Sequence, residues 1–173
     1  MISRIEVVDG DAGWALAEPL DRECYPPETM ATAIWRDVTW AHADKRVVVH
    51  GEDGIVCHVG IYLRDATQDG APVRIAGIGG VMTSPRVRRS GHAGNAMRMA
   101  AGAMREREID FGLLFCEPHN VGFYEHLGWR IFPGEVYCEQ PAARMRFDMM
   151  PTMVLPLRLA PEGRIIDLCG LPW

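Results

Sequence analysis

No apolar stretch in this 173-residue sequence approaches the roughly 18 to 20 residues that a membrane-spanning helix needs. The opening MISRIEVVDGD also lacks the basic-then-apolar order of a signal peptide, so a cytoplasmic protein with no membrane partner is expected. Clustered cysteine is missing as well. Cys24, Cys57, Cys116, Cys138 and Cys169 are odd in number, scattered, and never in a C-x-x-C spacing, which excludes a zinc ribbon or a disulfide frame and leaves reduced thiols and no metal. Neither G-x-x-x-x-G-K-[ST] nor G-x-G-x-x-G occurs where a strand meets a helix, which disfavours ATP and nicotinamide cofactors. No internal repeat or linker interrupts the chain, so residues 1–173 are read as one domain.

What is present is an ordinary globular composition, 48% hydrophobic and 24% charged, with a formal net charge of −5. An acidic total argues against nucleic acid as a partner. The charge is unevenly placed, however. Residues 86–107 hold six Arg and one Glu, leaving a net −10 elsewhere, and a local anion site in an acidic protein follows.

Strands and helices alternate along the chain. Ile2, Ile5, Val7 and Val8 form an apolar opening that ends at the cap-like Asp9-Gly10-Asp11. Two helices are expected between Ala12 and Ala43, broken at Tyr25-Pro26-Pro27-Glu28, the second carrying Met30, Ile34, Trp35 and Val38 on one face. Arg46–His50 and Ile55–Leu63 read as a hairpin about Gly51–Gly54, followed by a turn over Asp65–Gly70 and a long strand Val73–Met82 loosened by Gly77, Gly79 and Gly80. From Gly91 to Arg107 the period becomes helical, with Ala93, Ala96, Met97, Ala100 and Met104 on one stripe. Phe111–Cys116 suits a strand buried on both faces. A short helix over Asn120–Leu127, a strand over Trp129–Phe132, an unassigned stretch Pro133–Asp148, a strand over Met153–Leu159 and a tail from Ile165 complete the pattern.

The chemistry lies where Val81-Met82-Thr83-Ser84-Pro85 runs through an Arg- and Gly-containing turn into the helix at Gly91. Unpaired N–H groups and the positive end of the helix dipole face whatever sits in front, and a pyrophosphate fits there. Gly91 and Gly94 let phosphate oxygens approach, and Arg86, Arg88 and Arg89 add charge. The segment Arg88-Arg89-Ser90-Gly91-His92-Ala93 resembles the R/Q-x-x-G-x-G/A loop of the GNAT superfamily of acyl-CoA-dependent N-acyltransferases. Downstream, Phe123-Tyr124-Glu125-His126-Leu127-Gly128-Trp129 is similar to that superfamily's F-Y-E-x-L-G-F/W segment, so the likeness covers residues 81–132. It implies a single-domain α/β fold with a central mixed, mostly antiparallel, twisted sheet of about six or seven strands flanked by about four helices. A more diffuse likeness to aminoglycoside 2′-N-acetyltransferases and nodulation N-acyltransferases rests on Cys57-His58-Val59-Gly60, Leu155-Pro156-Leu157, Ile166-Asp167 and Trp173. Those relatives carry a Glu on the fourth strand, where this chain has Ala76-Gly77-Ile78-Gly79-Gly80.

The resemblance implies acetyl-CoA, or another acyl-CoA, as co-substrate, held by Arg88, Arg89, Ser90, Gly91, His92, Ala93, Gly94 and Asn95. A backbone N–H near Met82 or Thr83 would polarise the thioester, and Tyr124 would protonate the departing thiolate. Tyr124 also reads as a core aromatic. For the base, His58 has a suitable unperturbed pKa but equally reads as a structural strand residue. Glu117 and His119 follow the fifth strand at the end where open α/β sheets place ligands, or merely cap the next helix. Trp173 is implied to stand beside the acceptor, its carboxylate helping to hold a cation, or simply to pack on the sheet. Cys116, ending a buried run, reads as inert. The function expected is acyl transfer to a primary amine of a small cationic acceptor. The alternatives are an acyl-CoA sensor on the same scaffold and, further off, a Cys116 hydrolase. Self-association into a homodimer stays open.

Overall fold

The computed structural model describes residues 4–173, so the expectation at Ile2 lies outside the described residues. One curled sheet organises the chain. β1 (Ile5–Asp9) pairs with β2 (Lys45–Gly51), β2 with β3 (Gly54–Gln68) and β3 with β4 (Ala71–Thr83), all antiparallel. β4 then runs parallel to β5 (Phe111–Phe115), whose other edge is taken by β9 (Thr152–Pro156) and, beyond it, β6 (Arg130–Ile131). At the far end of β3 a side branch begins: Thr67 and Gln68 pair with β10 (Ile165–Asp167), which lies parallel to β7 (Glu135–Glu139), itself paired with β8 (Arg144–Arg146). The sheet is mixed and mostly antiparallel as expected, but its ten strands exceed the six or seven anticipated. The additions are short strands in stretches whose sequence carries no clear alternation. Among the described residues four α-helices flank it: α1 (Gly10–Cys24), α2 (Pro27–Thr32), α3 (His92–Arg105) and α4 (Val121–Glu125).

The period-2 pattern sorts the strands' side chains onto two faces. One face presents Val47, Val49, Val59, Ile61, Ala76, Ile78 and Leu114 to the Ala96, Met97, Ala100 and Met104 stripe of α3. The other buries Tyr62, Ile75, Phe111, Leu113, Phe132, Leu168 and Trp173. Glycines set the closest approaches. The Trp173 indole lies flat over Gly77, where any Cβ would overlap its ring, and its N–H donates to the Leu113 carbonyl at 3.1 Å. Gly77, which in the sequence looked like a loosening of β4, is the floor of an indole slot.

Two elements differ from expectation. The second helix stops at Thr32, because Ala33 turns to extended backbone (ψ 132°), so Ile34, Trp35 and Val38 lie on a strap of turn and irregular chain. This strap is anchored by side-chain and backbone bonds that no local pattern announces: Thr39 N–H donates to Gln140 Oε1 at 2.8 Å, and Ala41 N–H to the Pro172 carbonyl at 2.7 Å. The turn expected over Asp65–Gly70 shrinks to Asp69-Gly70, since β3 continues through Gln68 to reach β10.

The indole slot makes a double substitution informative. Gly77→Ala should cost about 1–3 kcal/mol by overpacking, and Trp173→Ala about 3–5 kcal/mol by the cavity it leaves. Combined, the two should cost clearly less than their sum, as measured by chemical denaturation, because removing the indole empties the space that the new methyl needs.

Candidate active site

The site begins with an extra residue in β4. Between the pairs His58↔Met82 and Gly60↔Gly79, β3 advances two residues and β4 three. The surplus is absorbed at Gly80, whose φ of +55° is left-handed and suits glycine. Such a bulge bends its strand, and here the pairing of β4 with β5 ends at Ile78↔Leu114. Beyond that pair, Gly79–Thr83 has no neighbour on its β5 side. A wedge therefore opens in the middle of the sheet, at the C-terminal ends of two parallel strands, where open α/β sheets bind ligands.

Alternation decides which backbone groups face the wedge. Ser84 N–H donates to the Val56 carbonyl on β3, so Met82, two residues back and paired with His58, also turns its N–H to β3. The expectation of a polarising N–H at Met82 is thereby corrected: Val81 and Thr83 have the main-chain groups on the open side. The Thr83 carbonyl is already taken there, accepting from Arg88 Nε at 3.3 Å.

His58 braces the bulge. Its Nδ1 lies 2.7 Å from the Gly80 carbonyl and its Nε2 lies 3.0 Å from Arg46 Nη1. A guanidinium and a carbonyl fix the tautomer: Nδ1–H donates to Gly80, and Nε2 accepts from Arg46. Arg46, itself buried, also donates from Nε to the Gly10 carbonyl at 2.7 Å and lies over the Trp14 ring. At 1% exposure, burial pushes His58 down to about 4, and the Arg46 charge adds to the effect against the opposing Gly80 bond. Neither nitrogen is free to take a substrate proton, so the His58 expected as a base is a neutral brace.

On one side of the wedge stands the Arg-rich turn. Ser84 and Arg86 are tied to Glu23 of α1, by bonds of 2.9 and 3.2 Å. Arg88, Arg89 and Ser90 are exposed, and Gly91 caps α3 at φ +81°. Around Gly91 a Cβ would meet nothing within 4 Å, and at Gly94 only Arg98 Nη1 at 3.5 Å, so the first turn of α3, with His92, Ala93 and Asn95, forms an open backbone cradle. Asn95 turns its side chain to Arg98, accepting at 3.1 Å. Arg107, just past the end of α3, donates from Nη1 to the Ala103 carbonyl at 2.9 Å and lies outside the cradle.

On the other side stands Tyr124. Its carbonyl accepts from both Leu127 and Trp129 N–H as the chain turns at Gly128, which explains the compact F-Y-E-H-L-G-W spacing. Only 7% of the residue is exposed, and burial holds the phenol pKa well above its ordinary value. Tyr124 belongs to the same core cluster as Cys57 and Cys116, and Cys57 in turn accepts from Thr83 Oγ1 at 3.4 Å. Tyr124 is thus linked through that cluster to the Thr83 whose carbonyl meets Arg88.

Tyr25, at the end of α1, had been read only as part of a helix break. Burial pushes its phenol up to about 12, with Cys24, Asp21 and Glu117 facing it and Arg88 opposing the shift. Its neighbour Cys24 donates to the Thr83 carbonyl at 3.6 Å, which ties the end of α1 to β4, and the adjacent Pro-Pro masked this in the sequence. Glu117 and His119 sit exposed at the end of β5, 3.5 Å apart. Cys116, pushed up to about 11 by burial and packed against Met153, stays a thiol. Two open hollows of about 260 and 480 Å³ border the β6–β8 region and residues 162–165, and neither reaches residues 88–95. Among the described residues no helix is long and apolar enough to cross a membrane.

The acetyltransferase (GNAT) domain family matches residues 15–132, which contain the bulge, the cradle and Tyr124. The chain belongs to the GNAT acetyltransferase family. Among curated protein sequences none matches it. Solved GNAT structures share its fold at low identity. The N-acetyltransferase YhbS from Escherichia coli in complex with CoA is 12% identical with a TM-score of 0.66, over 96% of this chain and 89% of its own. A GNAT acetyltransferase from Brucella melitensis in complex with acetyl-CoA is 13% identical with a TM-score of 0.58, over 92% and 93%. The ribosomal-protein-S18-alanine N-acetyltransferase from Escherichia coli is 14% identical with a TM-score of 0.59, over 93% and 97%.

In this GNAT domain the neutral brace has a measurable signature. His58 is depressed in the folded state relative to its ordinary 6.5, so between those values the unfolded chain binds the extra proton. Its contribution to stability is fully present above about pH 6.5 and is lost as the pH falls toward 4, amounting to about 3 kcal/mol. Urea midpoints taken between pH 7 and 4.5 should fall along this slope. In His58→Gln, which has no proton to gain, the slope should be shallower by that amount.

Proposed function

We propose that this GNAT domain transfers an acetyl group from acetyl-CoA directly to a primary amine, with the reaction held in the wedge between β4 and β5. The supporting observation is the convergence there of an open helix cradle, an unpaired strand edge and a buried phenol. The pyrophosphate binds the free N–H groups of Gly91, His92, Ala93 and Gly94 at the start of α3, ahead of Asn95, whose N–H already donates to the Gly91 carbonyl, with Arg88 and Arg89 supplying charge. The pantetheine arm lies along Gly79–Thr83 as an added strand. The thioester oxygen then accepts from the N–H groups of Val81 or Thr83, which His58 holds in place through Gly80.

Transfer proceeds in one displacement. The neutral amine nitrogen attacks the thioester carbonyl carbon, the C–N bond forms, and the C–S bond breaks. The sulfur leaves as a thiolate and takes the Tyr124 hydroxyl proton, the attacking nitrogen gives up one proton to water, and that proton returns through water to the Tyr124 phenolate, leaving the amide, the CoA thiol and the phenol restored. A phenol whose ionisation is suppressed by burial is a donor that remains charged with its proton throughout the neutral range. Glu117, exposed just beyond β5, attracts the incoming ammonium, which releases its extra proton to bulk water before the neutral amine attacks. Trp173 walls the acceptor side above Gly77 and Gly79.

Titration of acetyl-CoA by calorimetry, followed by assay of free CoA thiol with a panel of amines, tests the reading. A domain that only sensed acyl-CoA would bind it and release no thiol. Tyr124→Phe keeps the packed ring and should lower kcat about 10²- to 10⁴-fold with an unchanged acetyl-CoA KM; unchanged turnover would remove Tyr124 from the chemistry. Gly94→Val places methyls in the open cradle of a helical turn. It should weaken acetyl-CoA binding about tenfold or more while the melting temperature holds, and unaltered affinity in the folded variant would remove the cradle as the pyrophosphate site.

A further inference from the structure

An unbroken belt of aromatic rings crosses the side of the sheet opposite α3, and both its ends meet the wedge. From Tyr25 at the end of α1 it passes to Trp35 (centroids 5.6 Å apart), Trp40 (6.1 Å), Phe147 (6.0 Å), Phe115 (4.1 Å) and Trp173 (6.4 Å). Cys24, next to Tyr25, donates to the Thr83 carbonyl at 3.6 Å, Phe115 ends β5 one residue past the Ile78↔Leu114 pair where the wedge opens, and Trp173 covers Gly77 and Gly79 on β4. Tyr25, Trp35, Trp40 and Phe115 are only half-buried, so ring surface remains accessible. The strap that carries Trp35 and Trp40 is fixed rather than loose. Gln140 holds Thr39 at both its N–H and its carbonyl (2.8 and 2.9 Å), and Ala41 is bonded to Pro172.

Resting on the acetyltransferase reading, we propose that the acceptor is an arylalkylamine, a primary amine on a short chain bearing a planar apolar ring. The ring would stack on the exposed faces of Trp35 and Trp40, and the amine would reach the wedge beside Glu117. The chemistry of the belt selects against the alternatives. An aminosugar brings several hydroxyls that must find partners once water is expelled, whereas the belt presents mostly ring carbon, with the Trp173 N–H spent on Leu113 and the Gln140 amide spent on the strap. A linear polyamine needs carboxylates spaced along its length, whereas aromatic carbon makes up this wall.

Initial rates of CoA release measured with tryptamine, phenethylamine, glucosamine and spermidine at equal free-amine concentration test the assignment, with acetyl-CoA affinity measured separately by calorimetry. The aryl amines should show kcat/KM about 100-fold or more above the other two. Trp35→Ala should lower kcat/KM for tryptamine about tenfold, through KM, and leave acetyl-CoA affinity within about twofold. Trp35→Phe, which retains a ring, should recover most of that loss. Equal or greater efficiency with glucosamine or spermidine would overturn the proposal, as would a Trp35→Ala effect that is the same for all four amines. Normal acetyl-CoA binding with no acetylation of either aryl amine would overturn it too, leaving the acetyl-CoA site in place. Loss of acetyl-CoA binding to the unaltered protein would overturn both readings.

Discussion

The hydrogen bond from His58 to the Gly80 carbonyl is the constraint on which the site depends. A bulge has no ladder bond of its own to hold it, and a turned-out carbonyl left unpaired in a protein interior costs about 1–3 kcal/mol. His58 meets that carbonyl from the neighbouring strand, Arg46 fixes the tautomer that lets it donate, and Gly10 and Trp14 hold Arg46. Through this chain of contacts the packing of α1 onto β2 is coupled to the divergence of β4 from β5. Without the bulge, β4 would continue alongside β5, and no strand edge would be open to a substrate.

Burial then sets the protonation of the wedge. The phenols of Tyr124 and Tyr25 and the thiols of Cys57 and Cys116 are all driven toward their neutral, protonated forms, and His58 toward its neutral, unprotonated one. Apart from the buried Arg46 that holds His58, charge stands at the rim, with the arginines of the turn on one side and Glu117 on the other. That separation suits a reaction between an anionic co-substrate and an amine that must lose its proton before it attacks. A dry interior favours the neutral amine, while a carboxylate at the mouth collects the charged one. The acidic excess of the chain outside residues 86–107 acts in the same direction over longer range.

The elements read most directly from the sequence are those whose cause is local. The α3 stripe, the Gly91 cap with its preceding arginines, the hairpin about Gly51–Gly54 and the turn at Gly128 all arise from residues close together in the chain. Here period and turn chemistry determine the outcome. The roles of His58 and Tyr25 were hidden for the opposite reason. Whether a strand histidine is a base or a brace depends on the residues opposite its two nitrogens, and those belong to β2 and β4. Tyr25 gains its place from Trp35 on the strap and from the bond of the adjacent Cys24 to Thr83, far away in sequence. The strap over Ala33–Asp44 looked helical because its apolar spacing is helical, but its backbone groups find better partners in Gln140 and Pro172 than in a further turn of α2.

The sequence by itself determined an acidic domain with a basic, glycine-containing turn at a helix start and the F-Y-E-H-L-G-W segment, because dipole, charge and turn geometry act over a few residues. Tertiary structure alone decided that β4 parts from β5, that Val81 and Thr83 rather than Met82 face the opening, and that six aromatic rings from separate segments meet in one belt. Each of these turns on register between strands or contact between distant segments, and a one-residue slip in register exchanges every group facing the wedge for its neighbour.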